Sequence, residues 1–173
     1  MILYLDTSAL VKLYAEEPGT EEVQSAVGRA RAVAVSEVGY VEARSALARK
    51  ERDGAFSAEE HDEAVESLRR DFREVYLPRP LTGEIIAHAG ELAREHALRA
   101  YDAVHLATAL ALQNQAREIS SRRQESAQAT SPEGNGLRVQ LMSYDSSLTL
   151  AARGEALAYE PETLSPPDEG EHQ

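Results

Sequence analysis

The chain has 173 residues, of which 42% are hydrophobic and 28% are charged, and this composition is typical of one folded domain. Its formal net charge of −12 excludes a body that binds nucleic acid through bulk positive charge, so any such contact has to be local. The absence of cysteine excludes disulfides, thiolate nucleophiles and cysteine-based zinc sites.

The first half of the chain alternates short apolar runs with helical patterns. Residues 2–5 form an apolar run that predicts a strand buried on both faces, and the sequence Asp6-Thr7-Ser8 ends it and caps a short helix. Ser57 and Glu60 form a capping box at the start of a later helix. The patterns predict helices over 20–30, 37–52 and 58–72, and strands over 32–36 and 74–77.

The second half predicts helices over 82–96, 101–113 and 146–153, and strands over 137–144 and 156–159. Residues 113–136 are rich in polar residues and contain Ile119 as their only large aliphatic residue, so we expect a flexible insertion that begins as a helix end. Residues 160–173 contain five acidic residues, three prolines and no lysine or arginine, and we expect them to be disordered.

Strands that alternate with helices predict an α/β fold with a mainly parallel sheet of four to five strands, covered by helices, in a single domain over residues 1–159. The apolar N-terminal run is too short for a signal peptide, and no apolar run reaches the roughly 18 residues of a membrane span. We therefore expect a cytoplasmic protein that makes no membrane contact.

Four acidic residues stand at positions where a site of this fold class would lie. Asp6 and Asp145 each follow a predicted strand, and the carboxyl ends of parallel strands meet at one edge of the sheet. Glu42 lies on an otherwise apolar or small helix face, and Asp102 opens a strongly apolar helix. Clustered carboxylates repel one another unless a proton or a cation intervenes, and Mg²⁺ is a cation that such oxygens bind. Metal-dependent phosphodiester hydrolysis is the reaction that this arrangement serves best.

A purely local interpretation of the same acids stays open at this point. Asp6, Asp102 and Asp145 each stand at a predicted helix start, where aspartate is a preferred N-cap. Glu42 is equally compatible with a solvated position on a helix of different phase.

Four segments resemble the PIN-domain ribonucleases, and most of all the VapC-type toxins of bacterial toxin–antitoxin modules. These segments are LDTSALVKLY (5–14), VEA (41–43), YDAVHLATA (101–109) and SYDSSL (143–148). They occur in the order of that family and span nearly the whole chain up to residue 159. The resemblance implies a PIN-like three-layer sandwich.

The resemblance also implies roles for individual residues. Asp6, Glu42, Asp102 and Asp145 match four acidic positions around one or two Mg²⁺ or Mn²⁺ ions. Asp6 and Asp102 would be direct ligands, whereas Glu42 and Asp145 would act directly or through water. Thr7 and Ser8 match a supporting hydroxyl position, which helix capping explains equally well. His105 follows Asp102 by three residues on the same helix face, as a packed structural histidine or as a substrate contact.

The activity implied is that of a metal-dependent endoribonuclease, the toxin of a type II toxin–antitoxin system, which a VapB-type antitoxin neutralises and which forms a homodimer. Arginines such as Arg44, Arg49 and Arg99 would influence which RNA is bound, and those of the insertion, Arg117, Arg122 and Arg123, are further candidate phosphate contacts.

Two other classes of function compete with this interpretation. A haloacid-type phosphatase needs a second aspartate two residues after the first, where this chain has Ser8, and a receiver domain needs an adjacent acidic pair and a late lysine that are missing here. The second class is a PIN-like interaction module without catalytic activity.

Overall fold

The computed structural model describes residues 1–126 and 136–161. Its centre is a parallel sheet of five strands in the order β3-β2-β1-β4-β5. The first strand in the sequence thus lies in the middle of the sheet. The strands are β1 Ile2–Leu5, β2 Ala32–Ser36, β3 Leu77–Arg79, β4 Val139–Met142 and β5 Ala158–Glu160.

Seven helices connect and cover the strands within the described part of the chain. A single 3-10 turn, Val11–Leu13, continues the first of them. The helices are α1 Thr7–Leu10, α2 Thr20–Arg29, α3 Glu37–Arg52, α4 Ala58–Glu74, α5 Gly83–His96, α6 Ala100–Ser126 and α7 Ser146–Gly154. None of these helices combines the length and apolarity that crossing a membrane requires.

Burial on both faces of β1 explains its uninterrupted apolar sequence. Tyr4 packs into one core cluster together with α5, α6 and α7, whereas Leu3 and Leu5 pack into the opposite cluster with α1 to α4. All three side chains are fully buried, as expected for a central parallel strand covered by helices on each face. The predicted α/β layers are therefore present, and the sheet is parallel throughout.

The end of each central strand carries a polar residue to the same edge of the sheet. Asp6 follows β1, Ser36 ends β2, and Ser143 and Asp145 lie just beyond β4. In the register of the sheet, Leu5 is paired with Val35 on one side and Met142 on the other, so these residues leave the sheet side by side. The carboxyl edge is therefore the polar edge of the core.

The predicted insertion at 113–136 is wrong in its first half. Helix α6 continues to Ser126, thirteen residues past its predicted end at Gln113, and Ala116 is buried in the core. No glycine or proline interrupts this stretch, and alanine, glutamine, arginine and glutamate favour helix, so packing by a few small residues is enough to continue it. The predicted flexibility of 127–135 lies outside the described residues, as does that of 162–173.

Two strand boundaries also differ from prediction. Helix α4 continues to Glu74, and β3 therefore begins at Leu77 and includes Pro78. An edge strand accepts a proline because one row of its backbone groups has no partner strand. At the other edge β5 extends to Glu160, one residue past the predicted domain boundary, and its carbonyl accepts a hydrogen bond from the backbone of Ser143.

Candidate active site

The four acids predicted from the sequence line a single cleft of about 860 Å³ at the carboxyl edge of the sheet. Four separate places in the fold contribute them: Asp6 stands between β1 and α1, Glu42 on α3, Asp102 in the first turn of α6, and Asp145 between β4 and α7. Segments that are far apart in sequence therefore converge on one surface.

Asp6 is the most buried of the four acids and is held on every side. Its side chain is 4% exposed, and it accepts hydrogen bonds from the Ser8 hydroxyl at 2.7 Å, from the Ala9 amide at 2.9 Å and from the Ser143 hydroxyl at 2.7 Å. Burial raises its pKa, while the charge of His105 and the hydrogen bonds of Ser143, Ala9 and Ser8 oppose that rise. Asp6 is thus both an N-cap and a fixed carboxylate.

The interpretations of Asp6 as a helix cap and as a member of the acidic cluster hold at the same time. Its Oδ1 caps α1, yet the same side chain lines the cleft. Ser8 supports it directly, and the Ser8 hydroxyl also accepts a hydrogen bond from the Tyr144 amide at 2.8 Å, which ties α1 to the end of β4.

Glu42 is held by a buried chain of side chains. Thr7 donates to its Oε2 at 2.7 Å, and Nε2 of His105 lies 2.8 Å from the same oxygen. On the other side of the imidazole ring, Nδ1 lies 3.0 Å from the hydroxyl of Tyr4. Burial alone would raise the pKa of Glu42, but the hydrogen bond and charge of His105 and the hydrogen bond of Thr7 leave it lowered. Glu42 is therefore kept ionised at neutral pH.

His105 is only 2% exposed, and both of its ring nitrogens are used inside the protein. A carboxylate only accepts hydrogen bonds, so Nε2 must carry a proton toward Glu42, while Nδ1 is hydrogen-bonded to the Tyr4 hydroxyl. This is the arrangement of a packed, hydrogen-bonded histidine that positions an acid.

Asp102 and Asp145 complete the acidic wall of the cleft. Burial raises the pKa of Asp102, and the negative charges of Asp145 and Asp6 raise it further. This mutual repulsion shows that the three carboxylates are close enough to interact. Asp145 caps α7 by accepting from the Leu148 amide at 2.9 Å, so it is fixed by its helix, as Asp6 is.

The donor set of this cleft fits a hard divalent cation. No three of the four acids bring ligand oxygens within 4.8 Å of one another. An ion with ligands at about 2.0–2.1 Å would thus contact one or two carboxylates directly and reach the others through water, which is how Mg²⁺ usually binds in proteins. A cation there would also relieve the repulsion that raises the pKa of Asp102.

A different group of three side chains brings its ligand atoms closer together than the four acids do. Glu95, His96 and Glu155 have ligand atoms within 4.8 Å of one another at the ends of α5 and α7. Nε2 of His96 lies 2.9 Å from Oε1 of Glu155, so an ion pair or hydrogen bond within the protein explains this contact. None of the three residues lines the acid-lined cleft.

Four basic residues line the cleft beside its acids, although two of them, Lys12 and Lys50, form ion pairs with Glu17. Arg49 and Lys50 lie on α3, Arg99 precedes α6, and Lys12 lies over the ring of Tyr144 at 4.5 Å from its centroid. Sequence reasoning named Arg49 and Arg99 as candidates for RNA contact. Arg44, named with them, instead donates a hydrogen bond to the Tyr40 hydroxyl outside the cleft.

Sequence reasoning missed Ser143 as a functional candidate. Its fully buried hydroxyl donates to Asp6 and accepts from the Asp145 amide at 3.0 Å, so it links two of the four acids. A signal was available, because Ser143 directly follows an apolar run and precedes Asp145 by two residues, the spacing of a local side-chain to backbone hydrogen bond.

The sequence model of the PIN domain family matches residues 3–121 of this chain. The chain therefore belongs to the PIN domain family. Within it, Ribonuclease VapC45 of Mycobacterium tuberculosis (strain CDC 1551 / Oshkosh) is 40% identical over 111 residues, which are 64% of this chain and 76% of the relative. The resemblance predicted from the four sequence segments is thereby confirmed.

Solved structures confirm the predicted fold class. FitAcB from Neisseria gonorrhoeae is similar with a TM-score of 0.55 at 19% identity, over 92% of this chain and 96% of that chain. VapBC-1 from nontypeable Haemophilus influenzae is similar with a TM-score of 0.55 at 15% identity, over 92% of this chain and 97% of that chain. At such identities the likeness shows a shared fold.

Proposed function

We propose that this protein is a metal-dependent endoribonuclease that acts as the toxin of a type II toxin–antitoxin system. The observation that carries the proposal is the convergence of Asp6, Glu42, Asp102 and Asp145 on one cleft that the exposed Arg49 and Arg99 also line. The 40% identity to a protein named Ribonuclease VapC45 supports the same substrate class.

In this proposal Asp6 and Asp102 are direct ligands of Mg²⁺, or of Mn²⁺ in its place, and Glu42 and Asp145 act directly or through water. The metal, when bound, polarises the phosphoryl oxygen and lowers the pKa of a water molecule. Ser8 and Ser143 hold the Asp6 carboxylate, and Thr7 and His105 hold Glu42.

The ionised Glu42 faces the cleft with its Oε2 fixed by two partners, which suits it to orient the attacking water. Exposed Arg49 and Arg99 bring positive charge to the rim, where the phosphates flanking the scissile bond would lie. The carboxylates would thus carry the chemistry, and the exposed guanidinium groups would bind the substrate backbone.

A VapB-type antitoxin and a second copy of the chain are the partners that we propose. Solved structures with this fold include VapBC-1 from nontypeable Haemophilus influenzae and FitAB bound to a DNA fragment. An antitoxin segment over the acid-lined cleft would exclude RNA from it. We propose the cytoplasm as the location, because that is where such an RNA substrate and antitoxin are made.

The competing interpretation as an inactive interaction module has no support in the cleft. All four acids are present and each is positioned by its own helix or strand end, which a scaffold would not need. The phosphatase interpretation fails at Ser8, which stands where the second aspartate is needed and instead donates to Asp6. The receiver interpretation fails because the acidic pair and the late lysine are missing from the sequence.

Controlled expression in a bacterial host tests the toxin proposal. We expect wild-type protein to arrest growth and to create new RNA 5′ ends, and Asp6→Asn and Asp102→Asn to do neither at equal protein level. Asp53→Asn makes the same chemical change at the rim of the cleft and should remain toxic. Arrest by the Asp6→Asn variant would contradict the proposal, as would wild-type expression without arrest or new ends.

A further inference from the structure

Tyr101 is an exposed aromatic side chain beside a proposed metal ligand. It lies in the first turn of α6, directly before Asp102, and lines the acid-lined cleft with 56% of its surface exposed. Its hydroxyl makes no hydrogen bond to the described residues. Neither packing nor hydrogen bonding within the described chain therefore explains why a large ring stands at the mouth of this cleft.

The facing helix adds further apolar surface to the same cleft. Val38 and Val41 line it from α3, and Val41 is 65% exposed. Single exposed apolar residues are ordinary on protein surfaces. Here, however, a tyrosine and two valines line one cleft together with acidic and basic side chains. The cleft therefore offers an apolar surface directly beside charged groups.

Two arginines complete the pattern. Arg99 stands two residues before Tyr101, Arg49 lies on α3, and both are exposed at the cleft without donating a hydrogen bond to any residue in 1–126 or 136–161. Exposed cations beside an exposed aromatic ring are a combination that binds single-stranded nucleic acid, because phosphates contact the cations while a base stacks on the ring.

We propose that Tyr101 is a stacking residue that holds an unpaired nucleobase next to the phosphate at the acids. This inference rests on the proposed ribonuclease function and specifies what that function recognises. A base within a duplex is already stacked and covered on both faces. The protein should therefore bind RNA whose nucleotide at the cleft is unpaired, and Arg49 and Arg99 should contribute affinity without regard to the base.

Binding measurements with three substitutions separate stacking from other roles of Tyr101. The probe is a random pool of fluorescein-labelled 12-nucleotide single-stranded RNA, measured by anisotropy in an Asp6→Asn background that prevents cleavage. Tyr101→Ala should weaken binding roughly 5- to 150-fold, the range known for loss of one stacked base. Tyr101→Phe keeps the ring and should bind within about twofold of the parent, whereas Tyr101→Leu should resemble Tyr101→Ala.

Two controls make the loss specific. An abasic 12-nucleotide ribose-phosphate chain offers the phosphates without bases, so Tyr101→Ala should bind it as well as the parent does. Ile86→Ala removes a side chain of similar exposure, 55%, from α5 outside the cleft and should not change RNA binding. Unchanged thermal unfolding of Tyr101→Ala would show that the exposed ring is not needed for folding.

The outcomes distinguish this inference from the function on which it rests. Equal RNA binding by Tyr101→Ala and its parent would overturn the stacking role, and so would an equal loss for RNA and the abasic chain. If the parent binds RNA through Tyr101 while wild-type protein with metal cleaves none, the stacking role stands and the nuclease proposal falls. Absence of RNA binding by the parent would overturn both.

Discussion

The substitution Tyr4→Phe tests the buried connection from Tyr4 through His105 to Glu42. It deletes one hydroxyl from a fully buried side chain and keeps the ring in its core position. The hydroxyl lies 3.0 Å from Nδ1 of His105, whose Nε2 lies 2.8 Å from Glu42. The change therefore leaves Nδ1 without its partner, so that the ring is oriented by hydrogen bonds only through Nε2.

The expected loss of stability follows from that unpaired nitrogen. A buried polar group that loses its hydrogen-bond partner costs about 1–3 kcal/mol. For a chain of this size, each kcal/mol lowers Tm by roughly 2–4 °C, so Tyr4→Phe should melt roughly 2–12 °C below the wild type. Activity should fall about tenfold, at the low end of the roughly 10- to 100-fold loss seen when a partner behind a metal ligand is removed.

The assay combines thermal unfolding with single-turnover RNA cleavage in a double-mutant cycle. Tyr4→Phe, Glu42→Gln and the double variant are compared with the wild type. If Tyr4 affects cleavage only by orienting Glu42, the double variant should cleave as slowly as Glu42→Gln alone. The loss of Tm caused by Tyr4→Phe should nevertheless persist in both backgrounds.

Independent effects would refute this reasoning. If the losses of cleavage rate multiply in the double variant, Tyr4 acts by some route other than Glu42. Wild-type activity in the single Tyr4→Phe variant, accompanied by the expected drop in Tm, would show that His105 does not depend on Tyr4 for its orientation.

Three further predictions concern other parts of the structure. Gly19 has φ +94°, and a Cβ there would lie 2.5–2.8 Å from the side chain of Tyr144, so Gly19→Ala should lower Tm. Gly28 lies on a helix with open space around it, so Gly28→Ala should raise the stability by about 0.5–1 kcal/mol. Equal Tm values for the two variants would contradict this prediction. Glu17 forms ion pairs with Lys12 and Lys50. Burial raises the pKa of Glu17, but the two lysines leave this pKa lowered overall. The ionised Glu17 therefore stabilises the fold at pH values above its unfolded pKa, and this stabilisation is lost as pH falls through the lower folded pKa. Glu17→Gln should thus have a lower Tm than wild type at pH 7, with the difference shrinking as pH falls through the folded pKa of Glu17, and a constant difference would argue against the ion pairs. Ser143→Ala should weaken Mn²⁺ affinity or cleavage roughly 10- to 100-fold because Asp6 loses a donor, and wild-type values in both measurements would exclude that role.

Local sequence signals predict the elements that local interactions determine. The capping box at Ser57 and Glu60 forms both of its hydrogen bonds, and β1 occupies the predicted residues 2–5. These features depend on neighbours in sequence and on a run of apolar residues buried on both faces. The order of the strands could not be predicted from such signals, because the place of β1 between β2 and β4 depends on contacts between distant segments.

The length of α6 and the position of β3 show where local signals fail. The polar residues after Gln113 contribute little to a core, and on local grounds the helix should end there. The small side chain of Ala116 is nevertheless buried, and α6 continues past it. Pro78 argues against a strand on local grounds, but pairing on one side with β2 tolerates it.

The candidate site was predictable in composition but not in its connections. Four acids could be named because each stands at a strand end or on an apolar helix face. The supporting contacts could not be named in the same way: the hydroxyl of Ser143 reaches Asp6 across 137 positions of sequence, and that of Tyr4 reaches His105 across 101. Only the folded sheet brings such pairs together.

Cleavage of end-labelled RNA by the purified chain, freed of any bound partner, tests the central claim most directly. Wild type, an Asp6→Asn and Asp102→Asn double variant, and Asp53→Asn are purified in parallel and assayed with Mg²⁺, with Mn²⁺ and with chelator. We predict cuts by wild type and by Asp53→Asn that require metal and vanish in the double variant. Cuts that persist in the double variant or in chelator would contradict the account, as would a folded, metal-binding wild type that cuts no RNA.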